Sequence, residues 1–135
     1  MTEPDPPRPP VVLVVDDEAL LRMLATEHFE EAGYEVLEAE NGATALDTLR
    51  RRPDIRAVFT DVQMPGRPDG LALAREVRDL LPCCAVVVVS GRMIPSRSEL
   101  GDGIRFVSKP YGGAEIVTMI GNMIGYSGEH PEEGN

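Results

Sequence analysis

One lysine, Lys109, stands among twelve arginines in this chain of 135 residues, at the end of the apolar run IRFVS and directly before Pro110. An ammonium is a compact point charge, whereas a guanidinium is a planar fork. A chain that uses arginine at every other basic position therefore has some reason to place an ammonium here. Three carboxylates occupy comparable places: Asp16 and Asp17 follow the run VVLVV, and Asp61 follows IRAVFT. Ser90, with Gly91 after it, closes the run AVVVV. Three carboxylates brought together repel one another unless a cation intervenes. Magnesium does this with one or two carboxylates, waters and phosphate oxygens. Lys109 would add a second positive charge, and the Ser90 hydroxyl a hydrogen-bond donor for an anion. Such a set suits a phosphoryl group: a carboxylate nucleophile, a metal, a fixed cation and a donor. Each member alone has a plainer reading, as a helix cap, a turn residue or a surface charge. What distinguishes the set is that all of them fall at equivalent places in the chain.

Those places are the ends of strands. VVLVV (11–15) is a continuous β-branched run, the pattern of a strand buried on both faces. YEVLEA (34–39), IRAVFT (55–60), AVVVVS (85–90) and IRFVS (104–108) predict four more. Between them lie amphipathic stretches. Asp17 is expected to cap a helix that turns Leu21, Leu24, Ala25 and His28 inward and stops near Gly33. Asn41 is expected to cap a short helix with Ala45, Leu46 and Leu49 on its inner face. Residues 70–81 predict a helix burying Leu71, Ala74, Val77, Leu80 and Leu81, ended by Pro82. Residues 112–124 predict a last one, with Ile116, Val117, Met119, Ile120, Met123 and Ile124 against the core. RMIPSRSELGDG contains a proline and two glycines, so the fourth helix should be short or irregular. The alternation implies an α/β fold, a five-stranded parallel sheet with helices on both faces. In such sheets ligands bind beyond the carboxyl ends of the strands. The second strand differs from the rest: Glu38 and Glu40 at its end read as solvated charges. No G-x-G-x-x-G follows the first strand, and GYSGEHPEEG lacks the GK[ST] ending of a phosphate-binding loop.

Composition narrows the function classes. The formal charge of −10 argues against a broad basic surface for nucleic acid or anionic membrane. Apolar residues at 42% and charged residues at 27% fit an ordinary globular domain. Residues 1–10 hold five prolines and are expected to form a disordered arm, 11–125 the folded domain, and 126–135 an acidic flexible tail. Cys83 and Cys84 are adjacent, which suits reduced thiols rather than a framework disulfide. The N-terminus has no apolar stretch of the kind a secretory signal needs, and no run approaches the roughly 18 apolar residues of a membrane span. The expected location is the cytoplasm, without membrane insertion.

VVDDE, TDVQMPGRPDG, VVVVSGR and FVSKPY, in that order, resemble the receiver domain of two-component response regulators, especially the stand-alone kind typified by the chemotaxis response regulator. The resemblance covers residues 11–125. It implies a doubly wound, flavodoxin-like (βα)5 fold with Asp61 as phosphoacceptor. Asp17 would bind Mg2+ (or Mn2+) directly and Asp16 largely through a water, with the backbone carbonyl of Gln63 completing the protein ligands. Lys109 and Ser90 would bind the phosphoryl oxygens, Ser90 and Phe106 would form the switch, and the Lys109–Pro110 bond would be cis. Gln63 and Arg92 occupy the positions that tune dephosphorylation. The implied donor is a sensor histidine kinase or a histidine phosphotransfer protein. Output would run through a helix 4–strand 5–helix 5 surface to a downstream protein target, or by relay of the phosphoryl group. With only a short acidic stretch after residue 125, direct nucleic-acid binding is not expected. The same surface could serve a homodimer. The chain is expected not to be an enzyme beyond its own phosphorylation and dephosphorylation.

This sequence departs from the commonest pattern in two places. The loop between Pro65 and Asp69 is one residue longer, which leaves its path open, and Phe106 lacks the hydroxyl of a tyrosine. Two other functions compete. A phosphohydrolase with an aspartate nucleophile, of the haloacid dehalogenase type, would need a second aspartate where Gln63 stands. A phosphorylation-independent interaction module would have no need of the intact set of Asp16, Asp17, Asp61, Ser90 and Lys109.

Overall fold

A computed structural model describes residues 8–91, 94–101 and 103–126. Ten elements alternate through it: β1 (Val11–Val15), α1 (Ala19–Glu31), β2 (Glu35–Ala39), α2 (Gly42–Arg51), β3 (Ile55–Asp61), α3 (Gly70–Leu80), β4 (Ala85–Ser90), α4 (Arg97–Leu100), β5 (Ile104–Ser108) and α5 (Gly113–Ile124). All strand pairs are parallel and the order across the sheet is β2-β1-β3-β4-β5. The order reverses between β1 and β3, so a crevice opens where the chain leaving β1 turns to one face and the chain leaving β3 to the other.

The strands explain the two-sided core. Successive side chains point to opposite faces, and β1, β3 and β4 are buried on both. On one face Leu13, Val15, Val58, Val86 and Val88 pack with Leu46 and Leu49 of α2 and Leu73 and Val77 of α3. On the other, Val12, Val14, Phe59, Val87 and Val89 pack with Phe29 of α1 and Ile116 and Ile120 of α5. α2 and α3 begin as their sequences suggest. Asn41 accepts a hydrogen bond from the Thr44 amide and Asp69 one from the Ala72 amide. α4 spans four residues, in keeping with the proline and glycines around it.

α1 departs from expectation. Its N-cap is Glu18, not Asp17, and no side chain caps it. Its buried residues are Ala25, Thr26 and Phe29, while Leu24 and His28 are exposed. ALLRMLATEHFEE carries apolar residues around more than one side, so their spacing does not single out the inward face. Leu20 and Met23 are exposed as well. At the end of α3, Leu80 is also exposed rather than inward, with Leu81 half-buried behind it.

The lengthened loop after β3 bends at Gly66, whose φ of 84° favours glycine, and continues through a cis Arg67–Pro68 bond. Pro68 then lies against Gly42 so closely that a β-carbon there would overlap the Pro68 carbonyl. The extra residue is thus taken up against the start of α2, and Asp69 keeps its capping position. At Gly70 the backbone of α3 approaches β3 just as closely, leaving no room for a β-carbon beside the Asp61 carbonyl oxygen.

Gly70→Ala is therefore expected to destabilise the fold by about 1–3 kcal/mol, as overpacking does, although alanine is the better helix former. Urea unfolding with an unchanged or raised midpoint would contradict the close approach. The cysteines give a second expectation. Cys83 is exposed, and Cys84 is buried, which pushes its thiol from an ordinary 9.0 up to about 12. Iodoacetamide at pH 8 should modify Cys83 in the native protein and Cys84 only after unfolding. Above pH 9 the unfolded chain ionises Cys84 first. Stability held by the neutral thiol is thus complete below that pH and falls as pH rises toward 12.

Candidate functional site

Asp16 directly follows β1, Asp61 ends β3, Ser90 ends β4 and Lys109 directly follows β5. Parallel strands put these ends on one edge of the sheet, and the reversal between β1 and β3 brings Asp16 and Asp61 to the crevice. Carboxylate oxygens of Asp16, Asp17 and Asp61 lie within 4.8 Å of one another. Asp17 is exposed, while Asp16 and Asp61 are buried to the same degree. The carboxylate of Asp17 therefore belongs to this cluster and not to a cap of α1.

Each oxygen of Asp61 has a partner. Oδ2 accepts from Lys109 Nζ at 2.9 Å, and Oδ1 accepts from the Gln63 amide at 3.0 Å. Asp16 Oδ1 accepts from the Glu18 amide at 2.9 Å. Burial raises the Asp16 carboxyl above the usual carboxylate range; the Glu18 hydrogen bond opposes this, and the charge of Asp61 adds to it. Burial works against a charged Lys109, yet its hydrogen bond to Asp61 and the charges of Asp61 and Asp16 prevail and raise its pKa. The Lys109 ammonium is therefore firmly charged, inside a pocket that holds more negative charge than it can cancel.

The backbone sets Lys109 in place. Its amide donates to the Ser90 carbonyl at 3.0 Å, and the bond to Pro110 is cis, as the resemblance implies. Ser90 is buried, and the β4–β5 register pairs it with Ser108 and pairs Val88 with Phe106. Ser90 and Phe106 thus share one face of the sheet, two positions apart on adjacent strands. Phe106 is half-buried against the cluster that contains Val88 and Ile104. Arg92 lies outside the described residues.

Three features of this region were not anticipated. Glu38 is not simply solvated: it accepts from Arg22 Nε at 3.0 Å, and Arg22 Nη1 donates to the Asp16 carbonyl at 2.7 Å. Sixteen residues separate that pair in the chain, so sheet register rather than local spacing brings it together. Tyr111 joins Asp16, Lys109, Pro110, Leu21 and Leu24 around a cleft of about 500 Å³ beside the carboxylates. Its neighbour Pro110 gave the available signal. The exposed leucines of α1 are the third, since a helix in contact with the sheet was expected to turn them inward.

An oxygen-only donor set of three carboxylates is the kind that hard divalent cations prefer. Beside it stand a fixed ammonium and a buried serine. The chain matches the profile of the response regulator receiver domain over residues 12–121. It is 32% identical over 123 residues to the transcriptional regulatory protein PdtaR of Mycobacterium tuberculosis, covering 88% of this chain but 58% of that one. Sporulation initiation phosphotransferase F of Bacillus subtilis is 33% identical, with 81% of this chain and 89% of that one aligned. Among solved structures, a response regulator receiver protein from Sinorhizobium medicae superposes with a TM-score of 0.81 at 27% identity, covering 87% of this chain and 95% of that one. No helix among the described residues is long and apolar enough to cross a membrane. With its fold, its crevice and its sequence all in agreement, the chain belongs to the response regulator receiver domain family.

Proposed function

We propose that this chain is a cytoplasmic response regulator that accepts a phosphoryl group on Asp61 from a phosphohistidine of a sensor histidine kinase or a histidine phosphotransfer protein. Residues 11–125 form the working unit. The observation that carries this reading is the contact of Lys109 Nζ with Asp61 Oδ2 inside a cluster of three carboxylates. Asp16, Asp17 and Asp61, with the Gln63 carbonyl, would hold magnesium. When bound, magnesium supplies charge neutralisation for the carboxylates and for the phosphoryl oxygens.

A carboxylate oxygen of Asp61 attacks phosphorus, the phosphorus–nitrogen bond breaks, and its electron pair stays on the imidazole nitrogen of the donor. Phosphoryl transfer of this kind depends on positioning and electrostatics. The Gln63 amide orients Asp61 through Oδ1, and Lys109 meets the charge on the transferring oxygens. The acyl phosphate then draws the Ser90 hydroxyl toward it. Phe106, on the same face of the sheet, turns into the space released, and the surface of α4, β5 and α5 changes. That surface would meet a downstream protein or a second copy of the chain. Gln63 and Arg92 would govern how quickly water removes the phosphoryl group. Relay is the other output, and a similar protein of Bacillus subtilis carries the name phosphotransferase.

The donor's docking face is also supported. Leu20 and Met23 of α1 are exposed, and Leu24, Pro110 and Tyr111 border the cleft beside Lys109. Exposed apolar side chains grouped beside a charged site suit an amphipathic helix that brings its phosphohistidine to Asp61.

Incubation with Mg2+ and acetyl phosphate should add one phosphoryl group by intact mass, and Asp61→Asn should abolish the addition. Undiminished labelling in that variant would overturn the assignment of Asp61. Lys109→Arg keeps the charge but cannot place it at the same point, and should slow labelling by about tenfold or more. Labelling at the wild-type rate would show that charge alone suffices.

A further inference from the structure

Arg22 reaches the acidic end of the sheet through contacts that the phosphoryl chemistry does not use. Its Nη1 donates to the Asp16 carbonyl at 2.7 Å, its Nε donates to Glu38 Oε1 at 3.0 Å, and its amide donates to the Glu18 carbonyl at 2.9 Å. The Arg22 side chain is well covered, 19% exposed against 45% for Glu38. A side chain on α1 thus ties the carbonyl at the end of β1 to a carboxylate on β2. We infer that Arg22 is a positioning residue for the carboxylates of Asp16 and Asp17, with Glu38 as the anchor that holds Arg22. This rests on the proposed reading of those carboxylates as a magnesium site.

The backbone at Asp16 shows why such a residue is needed. The β1 ladder ends at Val15, paired with Ala39 on one side and Thr60 on the other. Beyond it the chain turns sharply into α1, with Asp16 and Asp17 in the turn. The Asp16 amide donates to the Ala39 carbonyl at 3.1 Å, and its side chain accepts from the Glu18 amide. The Asp16 carbonyl is past the ladder, and Arg22 is what holds it. A charged donor at this distance makes one of the stronger hydrogen bonds in a protein. The peptide plane between Asp16 and Asp17 contains that carbonyl, so holding the oxygen holds the plane that joins their Cα atoms and narrows the ψ of Asp16 and the φ of Asp17 through which the two side chains are aimed.

Charge and geometry predict opposite outcomes here. A guanidinium beside a dication site disfavours the dication by Coulomb repulsion, so charge alone would make Arg22→Ala bind Mg2+ more tightly. Positioning predicts weaker binding, because freed carboxylates must be ordered again as the cation arrives. Lysine separates the two further. It keeps the charge but has no fork to span a carbonyl and a carboxylate at once.

The test is isothermal titration of Mg2+ into the wild-type chain, Arg22→Ala, Arg22→Lys and Glu38→Gln, with thermal unfolding of each protein in the absence of metal. Both Arg22 variants should bind Mg2+ about tenfold more weakly or worse, the range typical of residues that orient metal ligands. Glu38→Gln should fall between them and wild type. Phosphorylation by acetyl phosphate should then need more Mg2+ in the variants, with the rate at saturating Mg2+ largely regained. A purely structural role would lower the melting temperature without moving the Mg2+ isotherm. Arg22→Ala that binds Mg2+ as tightly as wild type, or more tightly, overturns the inference. If that variant does not fold, Arg22→Lys decides in the same way. Wild-type chain that binds no Mg2+, or binds it undiminished after Asp61→Asn, would instead bring down the metal-site reading and this inference with it.

Discussion

Three carboxylates share one end of a parallel sheet, two of them buried, and the remainder of the site answers the repulsion this creates. Their oxygens come within 4.8 Å of one another. A like-charged pair at such a distance costs on the order of 3–4 kcal/mol near a protein surface, and less where water reaches Asp17. One ammonium cannot balance three carboxylates. Lys109 pairs with Asp61, and Asp16 is left with a raised pKa that burial causes and the charge of Asp61 increases. A pocket of that charge and that donor chemistry favours a divalent cation and, with it, an anion that shares the cation. The sheet tolerates this edge because its stability is invested elsewhere, in valine, leucine and isoleucine packed on both faces.

That investment also explains the choice of lysine. The site lies at the reversal of strand order, where the chain leaves β1 and β3 toward opposite faces and Lys109 at the end of β5 reaches across β4 toward Asp61. Lys109 crosses that gap with a flexible stem and sets down a charge at one point. Its amide is bound to the Ser90 carbonyl while its ammonium is bound to Asp61. A planar guanidinium in the same crevice would have to find several acceptors at fixed angles. Arginine serves where a fork is wanted, as at Arg22, which spans a carbonyl and a carboxylate.

The same contrast shows what could be read from the sequence. Runs such as VVLVV and AVVVVS are unambiguous because both faces are buried, and the residues that follow them inherit a defined place at the sheet edge. Asp16, Asp17, Asp61, Ser90 and Lys109 were legible for that reason. α1 was legible as a helix but not in orientation, since Leu20, Leu21, Met23 and Leu24 surround it and the sheet selected Ala25 and Phe29. Glu38 looked solvated because its partner stands on another element, brought near by the pairing of β1 with β2. The longer loop after β3 had no local rule to fix its path. Its course depends on a contact with Gly42, a residue more than twenty positions earlier.

In the proposed switch, coupling between the acidic edge and the surface of α4, β5 and α5 would run through few bonds. Lys109 is bound to β3 by its side chain and to β4 by its backbone, and it continues directly from β5. In the proposed reaction Asp61 gains a group that competes for the same ammonium, so the link from β3 to β5 must be remade rather than simply strengthened. Ser90 lies between the two strands and on the same face as Phe106, which is half-buried. Four turn-forming residues around α4, Pro95, Gly91, Gly101 and Gly103, hold that neighbouring helix to a single short turn, with Leu100 packed against the core. A sheet packed on both faces therefore holds the carboxylates and Lys109, and in the proposed reaction the change at Asp61 would pass through Lys109 to β5, beside the short α4.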